Sequence, residues 1–229
     1  MVKQNMNDMD HNAPVKMPFE RCEEVFVEEL GAIKHKPMYL FFKRAYDIVF
    51  SIFAILILLI PMLIISLIVK ITSKGSVFYH QERLGLNGRK FDVLKFRTMV
   101  VDAERNGPQW SDGDNDPRIT SFGRFLRKTR LDEIPQFWCI LIGDMSLIGP
   151  RPERECYYNE FEKYIHGFKQ RLLVKPGLSG MAQVHGGYYL RPEEKILYDI
   201  EYIKKRSVWM DFKLTLKTFV AVFKGEGAK

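Results

Sequence analysis

Residues 48–69 read IVFSIFAILILLIPMLIISLIV, a run of 22 residues without a charged side chain. The run is apolar throughout except for Ser51, Pro61 and Ser66. As a straight α-helix it would measure about 33 Å, which is enough to cross the hydrocarbon core of a bilayer. It begins too far from Met1 to be a signal peptide, and no small-residue cleavage site follows it. We therefore expect this run to anchor the protein in a membrane.

Two features of the run bear on how it enters the membrane. Pro61 cannot donate a hydrogen bond to the carbonyl of Ile57, which predicts a kink or a break in the helix. Basic residues flank both ends of the run: Lys34, Lys36, Lys43, Arg44, Lys70 and Lys74. The positive-inside bias then favours a cytoplasmic location for both ends, as in a re-entrant segment. From these residues alone, a helix that spans the membrane is an equal alternative.

Outside the run, length and charge indicate one basic domain. The chain has 229 residues, a net charge of +7 and a sequence pI of about 9.2. We expect a polar N-terminal tail over 1–37, the membrane segment with its flanks over 38–74 and one cytosolic domain over 75–229. A basic domain suits phosphorylated small molecules or acidic lipids. Nucleic acid is not expected, because basic repeats interleaved with aromatic residues are missing from the sequence.

The remaining pattern predicts an α+β fold that is mostly helical. Short strands are predicted over 76–81 and 90–95, and Asn87-Gly88 between them is typical of a hairpin turn. The segment 25–30 favours one or two helical turns, and Pro and Gly residues predict a tight loop over 175–180. Apolar periodicity predicts further helices over 121–130, 134–141, 153–172 and 192–205.

The last predicted helix carries an apolar stripe. Its large residues recur mostly at spacings of three and four: Trp209, Phe212, Leu216, Phe219, Val220 and Phe223. Lysines flank the stripe at Lys213, Lys217 and Lys224. The pattern fits either a helix packed on the core or an interfacial amphipathic helix whose aromatic face lies in the headgroup region. The sequence leaves both alternatives open.

Asp132 and Glu133 are the strongest candidates for chemistry. They come just before a predicted apolar helix, with Arg127, Lys128 and Arg130 within five residues upstream. The positive end of a helix and nearby cations favour an ionised carboxylate at neutral pH. Such a carboxylate can ligate a hard divalent metal ion or attack phosphorus as a nucleophile. In the alternative, structural interpretation, Asp132 caps the helix and Glu133 lies in its first turn.

Several cations lie near these carboxylates or close to the membrane segment in the sequence. Arg151 stands between Pro150 and Pro152, which predicts a rigidly presented guanidinium suited to phosphate. Lys95 and Arg97 follow soon after the apolar run. Each cation taken singly is typical of a solvated surface charge. Together they predict an anion site near the membrane surface.

These motifs occur in the order found in one family. Before and within the apolar run come Lys43-Arg44, Asp47 and Pro61. After it come FYHQERLG at 78–85, KFRTM at 95–99, DPRIT at 116–120, LDEIPQ at 131–136, GDMSLIGPRP at 143–152 and KPGLSG at 175–180. Over about residues 40–220 the chain resembles the bacterial sugar transferases, the monotopic polyprenyl-phosphate phosphoglycosyl transferases. Longer relatives carry further transmembrane helices ahead of this unit, and the chain resembles the minimal form.

The resemblance implies a re-entrant anchor of helix-break-helix form, a short β-hairpin and interfacial amphipathic helices. The family breaks its anchor at a Ser-Pro pair, and Ile60 stands here in place of the serine. The implied reaction moves a phosphosugar from a UDP-sugar to polyprenyl (undecaprenyl) phosphate and releases UMP, which initiates surface-glycan synthesis. The donor sugar stays open, because residues 186–189 depart from the family's usual Asn-Gly-Arg stretch.

The resemblance also implies roles for individual residues. Asp132 is expected to be the nucleophile that forms a covalent phosphosugar intermediate, and Glu133 its partner in proton removal or orientation. Mg²⁺ is the expected cofactor, bridging Asp132 and the diphosphate. The expected substrate-binding residues are Arg127, Arg151, Lys95, Arg97 and Arg118.

The expected location is the inner membrane of a bacterium, with the active site on the cytoplasmic face. The lipid bilayer is then a partner, and a homodimer is left open as the oligomeric state. Two other classes of protein are alternatives to the transferase. A membrane-tethered basic scaffold that holds anionic lipids predicts salt-sensitive binding that is indifferent to Asp132 and Glu133. An ordinary single-pass protein with a periplasmic domain predicts that the two flanks of the run lie on opposite sides of the membrane.

Overall fold

A computed structural model describes residues 24–31, 33, 36–105, 116–187 and 190–224. The strands are β1 (Val25–Phe26), β2 (Phe78–Leu84), β3 (Lys90–Phe96), β4 (Ser146–Ile148), β5 (Ile165–His166) and β6 (Gly177–Ser179). The helices are α1 (Pro37–Thr72), α2 (Ser121–Lys128), α3 (Gln136–Ile142), α4 (Glu155–Phe161), α5 (Met181–His185), α6 (Pro192–Lys205) and α7 (Val208–Lys224). Short 3-10 turns cover Leu86–Gly88, Leu131–Glu133 and Phe168–Leu173. A mostly helical chain with a few strands and one long apolar helix is therefore confirmed.

The predicted membrane segment lies inside α1, which has 36 residues. The helix runs without interruption across Pro61, so the expected helix-break-helix form is not confirmed. By length and composition α1 could cross a membrane, and only 17% of its most apolar stretch is buried. The buried residues of the apolar run recur along one side of the helix: Ser51, Ala54, Ile65 and Val69. A wide apolar surface of α1 is therefore left exposed.

Polar side chains dock the start of α1 onto the domain that follows it. Lys43 donates to the carbonyl of Ile148 and to Asp211 of α7, at 2.9 Å each. Arg44 donates to two carbonyls in the last turn of α3, at 2.7 Å each, where a cation complements the helix dipole. The Lys43-Arg44 pair is therefore an attachment between helices rather than a pair of solvated charges.

The other end of α1 packs on the same domain. Ile65 and Val69 form a small core with Phe96 of β3 and Leu126 of α2. Beyond the helix, Arg97 donates to the backbone carbonyl and the hydroxyl of the C-cap residue Ser73, at 2.8 and 2.7 Å. Both ends of the apolar helix thus contact elements that follow it in the sequence.

The segment before α1 is docked on that domain as well. β1 pairs in parallel with β5, with Val25 opposite Ile165. The side-chain oxygen of Gln170 accepts a hydrogen bond of 2.7 Å from the Leu30 amide. The helical turns expected over 25–30 are therefore wrong, because strand pairing and Gln170 satisfy this backbone instead. Most of the predicted tail, residues 1–23, lies outside the described residues.

The hairpin of β2 and β3 forms as predicted. The two strands are antiparallel, with Phe78 opposite Phe96 and Leu84 opposite Lys90. In the connection, Asn87 and Gly88 have φ values of 56° and 77°. Two consecutive left-handed residues are what an Asn-Gly turn supplies, because both residue types tolerate this conformation.

The single helix expected over 153–172 is wrong. The structure divides this stretch into α4, β5 and a 3-10 turn. The helix α4 ends at Phe161, and Gly167 directly before the 3-10 turn has a φ of 96°, a left-handed value that glycine adopts without strain. Ile165 is fully buried and pairs with β1. The predicted helices over 121–130, 134–141 and 192–205 are confirmed as α2, α3 and α6, with small shifts in their bounds.

The loop expected over 175–180 contains a strand. β6 pairs in parallel with β4, with Ser146 opposite Gly177 and Ile148 opposite Ser179. The two backbones approach so closely that a Cβ on Gly177 would lie 2.1 Å from the nitrogen of Gly149. Glycine at both positions therefore allows the contact between the segments 143–152 and 175–180.

The apolar stripe of α7 faces outward. Its described members are exposed: Trp209, Phe212, Leu216, Phe219 and Val220. The opposite side of the helix is buried through Asp211, Leu214 and Thr215. A core-packing role for the stripe is therefore wrong, and an exposed aromatic face is what an interfacial helix requires. The side chains of Phe223 and Lys224 lie outside the described residues.

We predict that Asp47→Ala destabilises the protein more than Asp47→Asn. The Asp47 side chain is buried and accepts hydrogen bonds from the Ser146 hydroxyl and the Leu147 amide, at 3.0 Å each. Alanine leaves both donors without an acceptor, at a cost of roughly 2–4 kcal/mol, whereas the asparagine oxygen still accepts. Thermal unfolding in detergent measures the difference. Equal midpoints for the two variants would contradict this account of how α1 is docked.

Candidate active site

Asp132 and Glu133 lie in the 3-10 turn Leu131–Glu133, between α2 and α3. Arg130, directly before the turn, has a φ of 58°, a left-handed conformation that is uncommon for residues with a side chain. The tight turn buries both carboxylates, leaving Asp132 7% and Glu133 9% exposed. In the described chain α3 begins after Pro135 without a side-chain cap, so a capping role for Asp132 is wrong.

A cavity of about 490 Å³ opens beside the two carboxylates. Its wall contains all seven site residues expected from the sequence, namely Lys95, Arg97, Arg118, Arg127, Asp132, Glu133 and Arg151. Among the described residues, ten cationic and four acidic side chains line this cavity. Gly75 and Ser76 line it too, so the cavity adjoins the end of α1. This charge favours a ligand that carries several negative charges.

Glu133 is held by two cations from different elements. Lys95 of β3 donates to its Oε1 atom at 2.8 Å. The guanidinium of Arg151 forms an ion pair with the same oxygen and also donates to Oε2 at 3.3 Å. Burial by itself raises the pKa of Glu133, but Arg151 and Lys95 outweigh it and hold this pKa well below its usual range. Glu133 is therefore a fixed anion at neutral pH.

The environment of the Asp132 carboxylate differs from that of Glu133. Within the described part of the chain, the Asp132 carboxylate has no hydrogen-bond or ion-pair partner. Burial, and then the adjacent charge of Glu133, raise the pKa of Asp132 to about 6, although Lys95, Arg127 and Arg151 act to lower it. The pKa of Asp132 therefore lies closer to neutral pH than that of a solvent-exposed aspartate. The site thus presents to one cavity a carboxylate held by two cations and a carboxylate that has no partner among the described residues.

The other expected arginines are oriented by contacts of their own. Arg127 donates from Nε to the hydroxyl of Thr98 at 2.9 Å. Arg118 forms two hydrogen bonds with Asp116, at 2.9 and 2.6 Å. Arg97 contacts the C-cap of α1, as described above. Their guanidinium groups are therefore presented in fixed directions on the cavity wall, which favours planar recognition of phosphate oxygens.

Seven charged residues of the described cavity lining were not among the expected site residues: Arg83, Arg130, Arg154, Arg171, Lys195, Glu104 and Glu153. Asp199 forms an ion pair of 2.6 Å with Arg171, and both side chains are almost fully buried. The sequence held a signal for Asp199, since it falls on the stripe of α6 formed by Ile196, Ile200 and Ile203. A charge on a buried face requires a partner.

The residues around Asp132 fit a magnesium ion shared with a ligand. Mg²⁺ takes oxygen ligands and is often held by one or two carboxylates together with substrate phosphates. Asp132 borders the cavity without a partner among the described residues, whereas Lys95 and Arg151 occupy Glu133. No group of three or more His, Cys, Asp or Glu side chains placed to hold a metal occurs in the described ranges. A magnesium ion at Asp132 would therefore take its further oxygen ligands from a bound ligand or from water.

Comparison with known proteins decides the family. The family model described as bacterial sugar transferase matches residues 38–225. The chain belongs to this family. The resemblance inferred from the LDEIPQ and GDMSLIGPRP motifs is confirmed, and both motifs contribute side chains to the cavity described here.

Named members of the bacterial sugar transferase family share more than a third of their aligned residues with the chain. The UDP-N-acetylgalactosamine-undecaprenyl-phosphate N-acetylgalactosaminephosphotransferase of Aeromonas hydrophila is 38% identical, over 91% of this chain and 50% of its own length. The UDP-glucose:undecaprenyl-phosphate glucose-1-phosphate transferase of Escherichia coli is 37% identical, over 87% and 45%. A galactosyl transferase of Streptococcus agalactiae is 40% identical, over 85% and 45%. The chain thus spans about half the length of the curated relatives it matches.

We predict that the side chain of Asp132 titrates with a midpoint of about 6. Because the charge of Glu133 raises this pKa, Glu133→Gln should move the midpoint to lower pH. The carboxyl ¹³C chemical shift of labelled aspartate, followed against pH in detergent, measures the midpoint, and Asp132→Asn assigns the signal. A midpoint that stays fixed or rises in Glu133→Gln is inconsistent with the coupling described here.

Proposed function

We propose that the protein is a phosphoglycosyl transferase that moves a phosphosugar from a UDP-sugar to polyprenyl phosphate and releases UMP. The observation that carries this proposal is the pairing of an unpartnered, ionised Asp132 with an immobilised Glu133 in a cavity lined by ten cationic side chains. The names of the relatives support the substrate classes, since they specify UDP-sugars and undecaprenyl phosphate. Those names differ in the sugar, so the donor sugar of this chain is not part of the proposal.

The reaction proceeds in two displacements at one phosphorus atom. A carboxylate oxygen of Asp132 attacks the β-phosphorus of the donor, and the bond from phosphorus to the bridging oxygen breaks, so that UMP leaves with the electron pair. An oxygen of polyprenyl phosphate then attacks the same phosphorus. The bond to Asp132 breaks, and the carboxylate is restored. The product is a polyprenyl-diphosphate sugar.

The surrounding residues stabilise charge and fix geometry in this scheme. Arg127 borders the same cavity and lowers the pKa of Asp132, which places its charge near the reacting oxygen. Because Glu133 is held as an anion by Lys95 and Arg151, it orients these cations and is a poor proton acceptor at neutral pH. Bound Mg²⁺, with Asp132 as its protein ligand, would neutralise negative charge on the phosphates.

A one-sided insertion of α1 is part of the proposal. Its support is that the segment before the helix pairs with β5, while both ends of the helix contact the following domain. Flanks that share hydrogen bonds cannot lie on opposite faces of a membrane. The exposed aromatic face of α7 supports a domain that rests on the membrane surface. We place this surface on the cytoplasmic side of the bacterial inner membrane, where a soluble nucleotide sugar and a lipid phosphate can meet.

The proposed activity is tested by UMP release in detergent, with undecaprenyl phosphate, Mg²⁺ and a panel of UDP-sugars. We expect one or more donors to yield UMP, and Asp132→Asn to lose at least about 10³-fold in rate because the nucleophile is gone. Asp92→Asn is the matched control, since Asp92 is exposed and does not line the cavity. Full activity in Asp132→Asn would refute the proposed role. Failure of every donor, with salt-sensitive lipid binding that ignores Asp132, would favour the basic scaffold.

The covalent step has its own test. Wild-type protein incubated with the active UDP-sugar, without the lipid acceptor, should release at most one UMP per active site. Its intact mass should rise by one phosphosugar, and addition of undecaprenyl phosphate should remove the added mass. Neither Asp132→Asn nor heat-denatured protein should gain mass. Turnover without any mass increase, in a quenched sample taken during the burst, would point to direct transfer between the substrates.

The topology is tested with single cysteines at Glu29→Cys and Lys74→Cys, in a chain whose own cysteines are replaced. Both positions are exposed and flank α1. A membrane-impermeant maleimide should label neither position in intact cells and both after permeabilisation. Labelling of only one position in intact cells would show a spanning helix, and labelling of both would place the domain outside the cytoplasm.

A further inference from the structure

Arg171 in the cavity wall belongs to a buried ion pair that, among the described residues, forms no hydrogen bond with Asp132 or Glu133. Arg171, from the 3-10 turn Phe168–Leu173, donates from Nε to Asp199 of α6 at 2.6 Å. The two side chains are 2% and 1% exposed. The guanidinium also lies over the Phe168 ring, 4.8 Å from its centre. Taking two charges so completely out of water is costly, and such a pair often adds little to stability. Its presence therefore calls for a role in specifying geometry.

The structure shows what the pair is connected to. The Nη2 atom of Arg171 donates to the backbone carbonyl of Arg151 at 2.8 Å. Arg151 in turn forms the ion pair with Glu133, and its Nη1 atom donates to the carbonyl of Leu178 in β6 at 3.4 Å. A continuous path of hydrogen bonds and ion pairs thus leads from α6 through Arg171 and the Arg151 backbone to Glu133.

We propose that the buried Arg171–Asp199 pair is a positioning device that fixes Arg151 against Glu133 and so keeps the Asp132–Glu133 pair in its reactive arrangement. The proposal rests on the function proposed above and adds two residues to it. Asp199 orients the guanidinium of Arg171 through one N–H group, and a second N–H group holds the Arg151 carbonyl. A lysine ammonium has all its donors on one nitrogen atom and lacks the planar fork whose Nε and Nη2 atoms reach the two acceptors separately. Arg171 and Asp199 are positioning residues, since neither is required to touch the substrate.

The contacts of the Arg151 guanidinium give the device a measurable consequence. Glu133 and the carbonyl of Leu178 hold this guanidinium in the structure. If Arg171 no longer fixes the Arg151 backbone, the Arg151 guanidinium should rotate more freely. The ¹⁵N NMR signals of its two Nη atoms should then broaden or merge.

Arg171→Lys is the informative variant, because it keeps a positive charge next to Asp199 and removes the second contact. In the presence of a UDP-sugar alone, we expect single-turnover UMP release to slow roughly 10- to 100-fold, as for a reacting group displaced by about 1 Å. The KM for the UDP-sugar should change less than the rate. The Nη signals of Arg151, assigned with Arg151→Lys, should broaden or merge.

Arg206→Lys is the matched control. Arg206 is also a buried arginine that donates to a backbone carbonyl, that of Ile203 at 3.1 Å, but it does not line the cavity. It should leave the UMP rate per folded molecule and the Nη signals of Arg151 unchanged. In an Arg151→Lys background, Arg171→Lys should add little further loss, because the two residues act through one path.

Three results distinguish a positioning role from a merely structural one. If Arg171→Lys matches Arg206→Lys in rate and in the Nη signals of Arg151, or loses activity only in proportion to its unfolded fraction, the inference is overturned. If the rate loss of Arg171→Lys adds in full to that of Arg151→Lys, the path through Arg151 is wrong. If the wild type releases no UMP, the proposed function fails, and the Nη signals of Arg151 still decide whether Arg171 positions Arg151.

Discussion

Two adjacent carboxylates buried in one turn repel each other and cannot both stay ionised without compensation. The protein compensates one of them almost completely, by placing Lys95 and Arg151 on Glu133. That contact draws together β3 and the segment after β4, and Arg151 also donates to the carbonyl of Leu178 in β6. Asp132 then keeps an intermediate pKa, because it is buried beside an anion yet surrounded by cations that have other partners. The difference in pKa between Asp132 and Glu133 is therefore created by elements that lie far apart in the sequence.

The apolar helix α1 is held by contacts with the same domain. α1 is not a separate stem, because Lys43 and Arg44 attach its start to α7 and α3, while its far end shares a core with β3 and α2. Arg97 connects the helix end to the cavity wall. A shift of the helix would consequently disturb the strand that carries Lys95. The position of α1 and the geometry of the cavity are thus coupled through these contacts.

The sequence predicted the features that depend on interactions between residues close to one another in the chain. The Asn-Gly turn, the apolar run and the helices α2, α3 and α6 follow from residues close in sequence, and the motifs nominated seven residues that one cavity collects. The short parallel pairs β1–β5 and β4–β6 were missed, because their partners lie far apart and their strands have only two or three residues. The role of Arg151 was only partly foreseen, since a guanidinium between prolines does not reveal that Glu133 occupies it. Asp199 was not predicted, because charged and apolar residues alternate along α6. Its position on the buried stripe of that helix nevertheless indicated a charged side chain that requires a partner.

The pairing of β1 with β5 also constrains how the protein is made. Leu30 and its partner Gln170 are separated by 140 residues, so the first strand leaves the ribosome on the order of ten seconds before its partner. The apolar helix leaves the ribosome during that interval, before the pairing exists. If the helix inserts into lipid at that stage, the strand pair cannot direct the insertion and can only stabilise it afterwards. The basic residues at the two ends of the helix are then the signals in the nascent chain that set its direction.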